Sequence, residues 1–222
     1  MKRAELAKRL VASELTIGCT EERIICLVRQ AIERGLLGVC VYQNMVSPAL
    51  EAARGSELKI FTVAGFPSGI DVPVTKVSDV ELSARRGAAE SAMGVNLSAW
   101  KSNDQETLQE ELRGGAETAH RYGGRVSAVL NTYQLEDEDI QRLAALCASC
   151  GVDAVKTISG DNVIPRATSA RDVELIRAAV GSVTVEAEGR IDTLEAALEL
   201  LDAGADVIYS SSAFAILDSA AE

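Results

Sequence analysis

A lysine and two glutamates stand on two short apolar runs, in a pattern that suits carbonyl chemistry. The first run, Val152-Asp153-Ala154-Val155-Lys156-Thr157-Ile158-Ser159-Gly160, reads as a buried strand ending in a lysine, followed by a polar, glycine-bearing turn. Most lysines at strand ends lie on an edge or reach out to water. One that stays buried has to be desolvated or paired. The second run is Val183-Thr184-Val185-Glu186-Ala187-Glu188-Gly189. Alternation puts Val183, Val185 and Ala187 on one face and Thr184, Glu186 and Glu188 on the other. A parallel strand covered by helices on both faces would be apolar throughout. In a closed barrel the outer face packs on helices, while the inner face can hold catalytic groups at its C-terminal end. A deprotonated lysine amine adds to a carbonyl and loses water to form an imine, and a neighbouring carboxylate can move the protons, directly or through one water. At its ordinary pKa of about 10.4 a lysine is inert near neutrality. Burial would lower that value and Glu186 would raise it, so the two influences oppose each other.

The elements that must hold these groups alternate regularly. A helix is expected over residues 2–12, from Leu6, Leu10 and Val11, and another from the N-cap Thr20 to Gly35. Strands follow at 38–42, 59–65, 90–97, 125–131, 152–156, 183–187 and 206–209, with helices at 45–53, 74–86, 104–121, 136–151, 169–179 and 193–203 and a last short helix. A weak eighth strand is expected near 13–16. With no linker and no low-complexity segment, the 222 residues predict one α/β domain over 1–222, a closed (β/α)8 TIM barrel in preference to an open doubly wound sheet. No GxGxxG or P-loop pattern supports a nucleotide-binding sheet.

Composition narrows the partners. The formal charge of −11 repels nucleic acid and acidic membrane surfaces, and no apolar run reaches the roughly 20 residues of a membrane span. The charged start, Met1-Lys2-Arg3-Ala4-Glu5, is unlike a secretory leader, so a cytoplasmic location is expected. Cys19, Cys26, Cys40, Cys147 and Cys150 form an odd set read as reduced and mostly buried. Cys147-Ala-Ser-Cys150 has no second pair, and His120 is the one histidine, read as a solvated residue near a helix end. No metal and no cofactor is expected.

Around Lys156 the chain resembles the deoxyribose-phosphate aldolase family of Schiff-base enzymes, and the resemblance runs almost the whole length. Val155-Lys156-Thr157-x-Ser159-Gly160 is similar to the family's nucleophile segment, whose lysine forms the imine. Gly65-Phe66-Pro67-x-Gly69, Lys76 and Gly87-Ala88-x-Glu90 fall at the family's spacing, Val39-Cys40-Val41 resembles the strand with its buried cysteine, and Ser211-Ser212 match serines that help hold the substrate phosphate. Several positions depart from the pattern. Ala92 stands where the family has an aspartate, and Glu186 where it has a second lysine, the two partners of its proton relay. Asp161 replaces a lysine of the phosphate site, Arg190 the second of paired glycines, and Tyr209 another glycine.

The resemblance implies a class I aldolase-like lyase with an imine on Lys156, and the acidic face of the second run adds Glu186 as its acid–base group and Glu188 as the second choice. Arg190, Tyr209, Ser211, Ser212, Ser159 and Asn131 are its candidate substrate contacts. The substrate is a small carbonyl compound other than 2-deoxyribose 5-phosphate. Two further readings stay open. One is a cyclase, dehydratase or isomerase without an imine, in which Lys156 and Glu186 orient Glu188 and Tyr209; the other is a non-catalytic homologue. A homo-oligomer is compatible with a barrel of this size.

Overall fold

The computed structural model describes residues 1–159 and 165–221. Eight parallel strands close in chain order, β1 next to β2 through to β8 and back to β1. They are β1 (Leu10–Glu14), β2 (Gly38–Val41), β3 (Lys59–Ala64), β4 (Glu90–Gly94), β5 (Arg125–Val129), β6 (Ala154–Lys156), β7 (Thr184–Ala187) and β8 (Val207–Ser210). Outside them lie α1 (Arg3–Ala7), α2 (Glu21–Glu33), α3 (Val46–Ala52), α4 (Pro73–Arg86), α5 (Leu97–Lys101), α6 (Gln105–Arg121), α7 (Asp137–Ser149), α8 (Ala170–Val180), α9 (Leu194–Asp202) and α10 (Ala213–Asp218). The chain is a single (β/α)8 barrel. Among the described residues no helix is long and apolar enough to cross a membrane.

Local chemistry explains most boundaries. Thr20, Asp104, Ser169 and Thr193 cap their helices by accepting from a backbone N–H three residues on, each cap contributing about 1 kcal/mol. Gly87, at φ 97°, ends α4 in the left-handed region that a side chain resists. Two expectations are corrected. The helix over 2–12 stops at Ala7, and the eighth strand begins at Leu10, ahead of the expected 13–16. Leu6, Leu10 and Val11 do share helical spacing, but closing the ring requires Leu10–Ala12 to pair with Ile208–Ser210 while Val11–Glu14 pair with Gly38–Val41. The strand expected over 90–97 stops at Gly94, because the Asn96 side chain accepts from the Ala99 N–H and opens α5.

Two apolar regions result. The larger lies between sheet and helices and holds Val185 and Ala187 of β7. The smaller fills the lumen with Val11, Cys40, Phe61, Val63, Ala92, Val129 and Tyr209. Tyr209 packs edge-on against Phe61, ring centroids 5.5 Å apart. Gly38 makes room for this layer, since a Cβ there would lie 2.5 Å from the Phe61 ring and 2.4 Å from the Lys59 carbonyl oxygen.

Candidate active site

Lys156 ends β6 directly beside Glu186 of β7, its cross-strand partner. Both side chains enter the lumen and are almost wholly enclosed, 1% and 2% exposed. The Lys156 Nζ lies 3.4 Å from Glu186 Oε2 and 3.3 Å from Glu188 Oε2. It also sits 3.2 Å from the centre of the Tyr209 ring, a cation–π contact. The Tyr209 hydroxyl donates to Glu186 Oε1 at 3.1 Å, and the Ser13 hydroxyl donates to Glu188 Oε1 at 3.3 Å.

Glu188 lies just past the end of β7, where the chain leaves the barrel, and the threonine after the lysine pins it there. The Thr157 hydroxyl accepts from the Glu188 N–H at 3.1 Å and donates to the Glu188 carbonyl at 2.9 Å. The Thr168 hydroxyl bonds the same carbonyl. One short motif therefore supplies both the ammonium and the clamp on its counter-ion.

The electrostatics follow from burial and these contacts. Burial alone would draw the Lys156 ammonium down, but Glu186 and Glu188 outweigh it and hold the group well above its ordinary value. Of the two influences that the sequence left opposed, the carboxylates therefore prevail and favour the charged form. Burial raises Glu188, and Lys156 opposes the rise. Burial and then Glu186 raise Glu90. Burial and the surrounding carboxylates push the Tyr209 phenol up, and burial does the same to the Cys40 thiol against the pull of Lys156.

Above this cluster opens a cavity of about 490 Å³. Glu188, Arg190, Tyr209 and Ser211 all line it, together with Glu14, Arg23 and Asp192. Arg23 is tied to Glu14 at 2.6 Å. Arg190 adopts φ 53°, a conformation unusual for a side-chain-bearing residue. Ser212 is not part of this lining. It turns its hydroxyl to Asp192 Oδ1 at 2.9 Å and its N–H to the Ser210 hydroxyl, so it shapes the β8–α10 turn.

Ser159 and Asn131 lie on another side of the mouth and bond to each other, Asn131 Oδ1 accepting from the Ser159 N–H and hydroxyl at 3.0 and 3.1 Å. Ser159 borders a narrow recess with Phe66, Pro67, Ala92 and Glu188. Asn131 does not border it and acts by holding Ser159. Gly160 and Asp161 lie outside the described residues.

Sequence reading missed the lumen partner Glu90, the hydroxyl of Ser13 and the Glu14–Arg23 pair. Alternation along β4 sends Glu90, Ala92 and Gly94 to one face, a signal sufficient to have marked Glu90 as a lumen group. Elsewhere, Cys147 and Cys150 are buried and free, and His120 bonds Asp153 Oδ2 at 3.0 Å. Among the described residues no group of three or more acidic, cysteine or histidine side chains could hold a metal.

The whole chain has close relatives of known name. A curated deoxyribose-phosphate aldolase from Aciduliprofundum boonei is 33% identical over 219 residues, covering 98% of each chain. Another, from Thermococcus kodakarensis, is 33% identical over 223 residues and covers 99% of each. The solved deoxyribose phosphate aldolase of Aeropyrum pernix, described as a tetramer, superposes with a TM-score of 0.89 at 26% identity over 98% of this chain and 92% of that one. No protein-family model matches.

Proposed function

The chain belongs to the deoxyribose-phosphate aldolase family and is an aldolase-type enzyme, and from that premise we propose a Schiff-base lyase that makes or cleaves a carbon–carbon bond of a small polar carbonyl substrate, with Lys156 as nucleophile and Glu186 as acid–base group. The observation that carries this reading is the pair of carboxylates 3.4 and 3.3 Å from the Lys156 Nζ, at the C-terminal mouth of the barrel.

A lysine held protonated looks at first unsuited to attack. Charge accounting answers the objection. An ammonium and a carbonyl give an iminium and water, so one positive charge stands at the nitrogen before and after. The carboxylates that penalise the neutral amine stabilise both end states, and the free amine is needed only transiently. Glu186 accepts one ammonium proton, Nζ bonds the carbonyl carbon, and the protons leave in the departing water. In the bond-making direction the same carboxylate, or Glu188, then takes a proton from the carbon next to the iminium, giving the enamine that attacks an aldehyde. In cleavage it takes the proton of the hydroxyl one carbon further on, the carbon–carbon bond breaks to leave an aldehyde and the enamine, and the proton returns to the enamine carbon. Ala92, where the family resemblance places an aspartate, offers no acid–base group.

A phosphate-free substrate is supported by the charges on the cavity. Glu14, Asp192 and Glu188 face Arg23 and Arg190, and Arg23 is already paired. A phosphate dianion would meet more carboxylates than free guanidinium groups. We further propose a homo-oligomer, by analogy with the tetrameric relative, and a cytoplasmic site of action, supported by five free cysteines.

The test is borohydride reduction with a panel of aldehydes and ketones, followed by peptide mapping. One adduct on Lys156, lost in Lys156→Arg, is the expected result. Absence of an adduct on any lysine of the folded protein would remove the imine. An acid–base reaction without an imine is the second reading, favoured by the Tyr209 ring that covers the ammonium at 3.2 Å. Turnover retained in Lys156→Arg, which keeps the charge and loses the nucleophile, would establish it over the first.

A further inference from the structure

Glu90, on β4, belongs to the lumen cluster although no step above uses it. It is 3% exposed, and Glu186, from β7 across the lumen, is 2% exposed. Glu186 acts on Glu90 both as a charge and as a hydrogen-bond partner; Glu90 Oε1 is enclosed by protein and finds no donor, while Glu186 Oε2 has only the Lys156 Nζ at 3.4 Å, an ion pair without a hydrogen bond. The other carboxyl oxygens of the cluster are supplied. Tyr209 serves Glu186 Oε1, Ser13 serves Glu188 Oε1, Lys156 serves Glu188 Oε2, and the Arg125 Nε lies 3.3 Å from Glu90 Oε2. Two ionised carboxylates are acceptors only and cannot bond to each other. A proton on Glu90 turns its carboxyl from a second acceptor into a donor to the Glu186 carboxylate.

The charge balance points the same way. With Glu90 ionised, Glu90, Glu186 and Glu188 would all crowd the Lys156 ammonium. The facing groups from other strands do little to offset this: Arg125 of β5 has a side chain 45% exposed, while Cys40 of β2 and Tyr209 of β8 stay neutral. An uncompensated buried carboxylate is costly, and neutralisation is the usual escape.

We infer that Glu90 is a neutral carboxylic acid in the resting enzyme and donates a hydrogen bond to the Glu186 carboxylate, making Glu90 a positioning residue for the acid–base group. Its catalytic meaning rests on the imine reading. With the proton already on Glu90, the transfer from the carbon next to the iminium to Glu186 leaves an enamine and two neutral carboxyls, and no unpaired charge arises between β4 and β7.

The experiment observes the proton itself, with no substrate present, so its failure leaves the borohydride result untouched. Protein labelled with carboxyl-13C glutamate is followed by NMR across pH, as wild type and as Glu90→Gln, whose amide N–H can donate to Glu186 in the same way. The expected result is one glutamate carboxyl in its acid form at pH 7, assigned to Glu90 and missing from Glu90→Gln. A native proton on Glu90 also makes the unfolding constant rise with pH above the ordinary glutamate value of 4.5, and Glu90→Gln should remove a tenfold change per pH unit from that dependence. Absence of any acid-form carboxyl at pH 7, or its survival in Glu90→Gln, overturns the inference. Should the variant not fold, through-bond assignment of the wild-type resonance to Glu90 or to another glutamate decides the same question.

Discussion

Replacing Glu188 with glutamine isolates one of the two carboxylates that hold Lys156 charged. The amide has nearly the same shape and can still accept from Ser13, so the change is electrostatic. Glu188 Oε2 lies 3.3 Å from the Lys156 Nζ. At an effective dielectric constant of about 20, a unit charge pair at that separation is worth about 5 kcal/mol. At 1.36 kcal/mol per decade this corresponds to between three and four powers of ten in acidity. Water drawn towards the site and a closer approach by Glu186 recover part of the loss, so a shift of about two powers of ten is the expected minimum. Glu186 and Glu188 raise the lysine above its ordinary value, and Glu188→Gln brings the onset of the free amine down. The assay is the rate at which Lys156 is trapped by borohydride with a simple aldehyde, measured from about pH 6 to about pH 11. At neutral pH the variant should label roughly a hundredfold faster, while turnover of a true substrate falls because a proton acceptor is missing. A variant that labels no faster than the wild type at any pH in this range, with the fold intact, would refute the claim that Glu188 controls the charge of Lys156.

Three further substitutions test the scaffold. Lys76, wholly buried on α4, is ion-paired with Glu111 and donates to the carbonyls of Gly69 and Gly94 at 2.9 Å each; Lys76→Met should cost about 3 to 5 kcal/mol in urea unfolding by stranding Glu111, and Lys76→Met/Glu111→Leu should recover much of it. Asp172 lies below the usual carboxylate range, because the Arg166 fork and the Ser169 N–H outweigh burial. Its contribution to stability is therefore present above the ordinary value of 3.8 and lost as pH falls through the lower native value. Arg166→Met should reduce stability at pH 7 by about 1 kcal/mol, given how exposed the guanidinium is, and should shrink the acid-induced loss. Gly38→Ala places a methyl 2.4 Å from the Lys59 carbonyl oxygen, and calorimetry should show about 1 to 3 kcal/mol of destabilisation as β2 and β3 part.

The sequence made the acidic face of β7 readable because alternation is a local property: Glu186 and Glu188 differ from Val185 and Ala187 within a few residues. Lys156 was readable for the same reason. Contacts across the lumen were not. Glu90 meets Glu186 between strands nearly a hundred positions apart, and nothing in either segment names the other. The start of β1 failed similarly, since Leu6, Leu10 and Val11 satisfy helical spacing and only closure against β8 selects the strand. Ser211 and Ser212 are adjacent and chemically alike, and the turn into α10 alone decides which of them faces the cavity.

Tyr209 has one more consequence, and it concerns light. The phenol lies flat over the Lys156 ammonium and donates to Glu186, so its near-ultraviolet absorption is coupled to both reacting partners. The chain has 4 tyrosines and 1 tryptophan, and among them Tyr209 is held inside the barrel against the Lys156 nitrogen. A change of charge or substitution at that nitrogen alters the field along the ring, and transfer of a proton to Glu186 alters the hydroxyl's acceptor. The enzyme therefore carries its own chromophore beside Lys156, and under the proposed imine mechanism difference absorbance in a stopped-flow mixer should report bond formation at that nitrogen without a dye or a coupled assay.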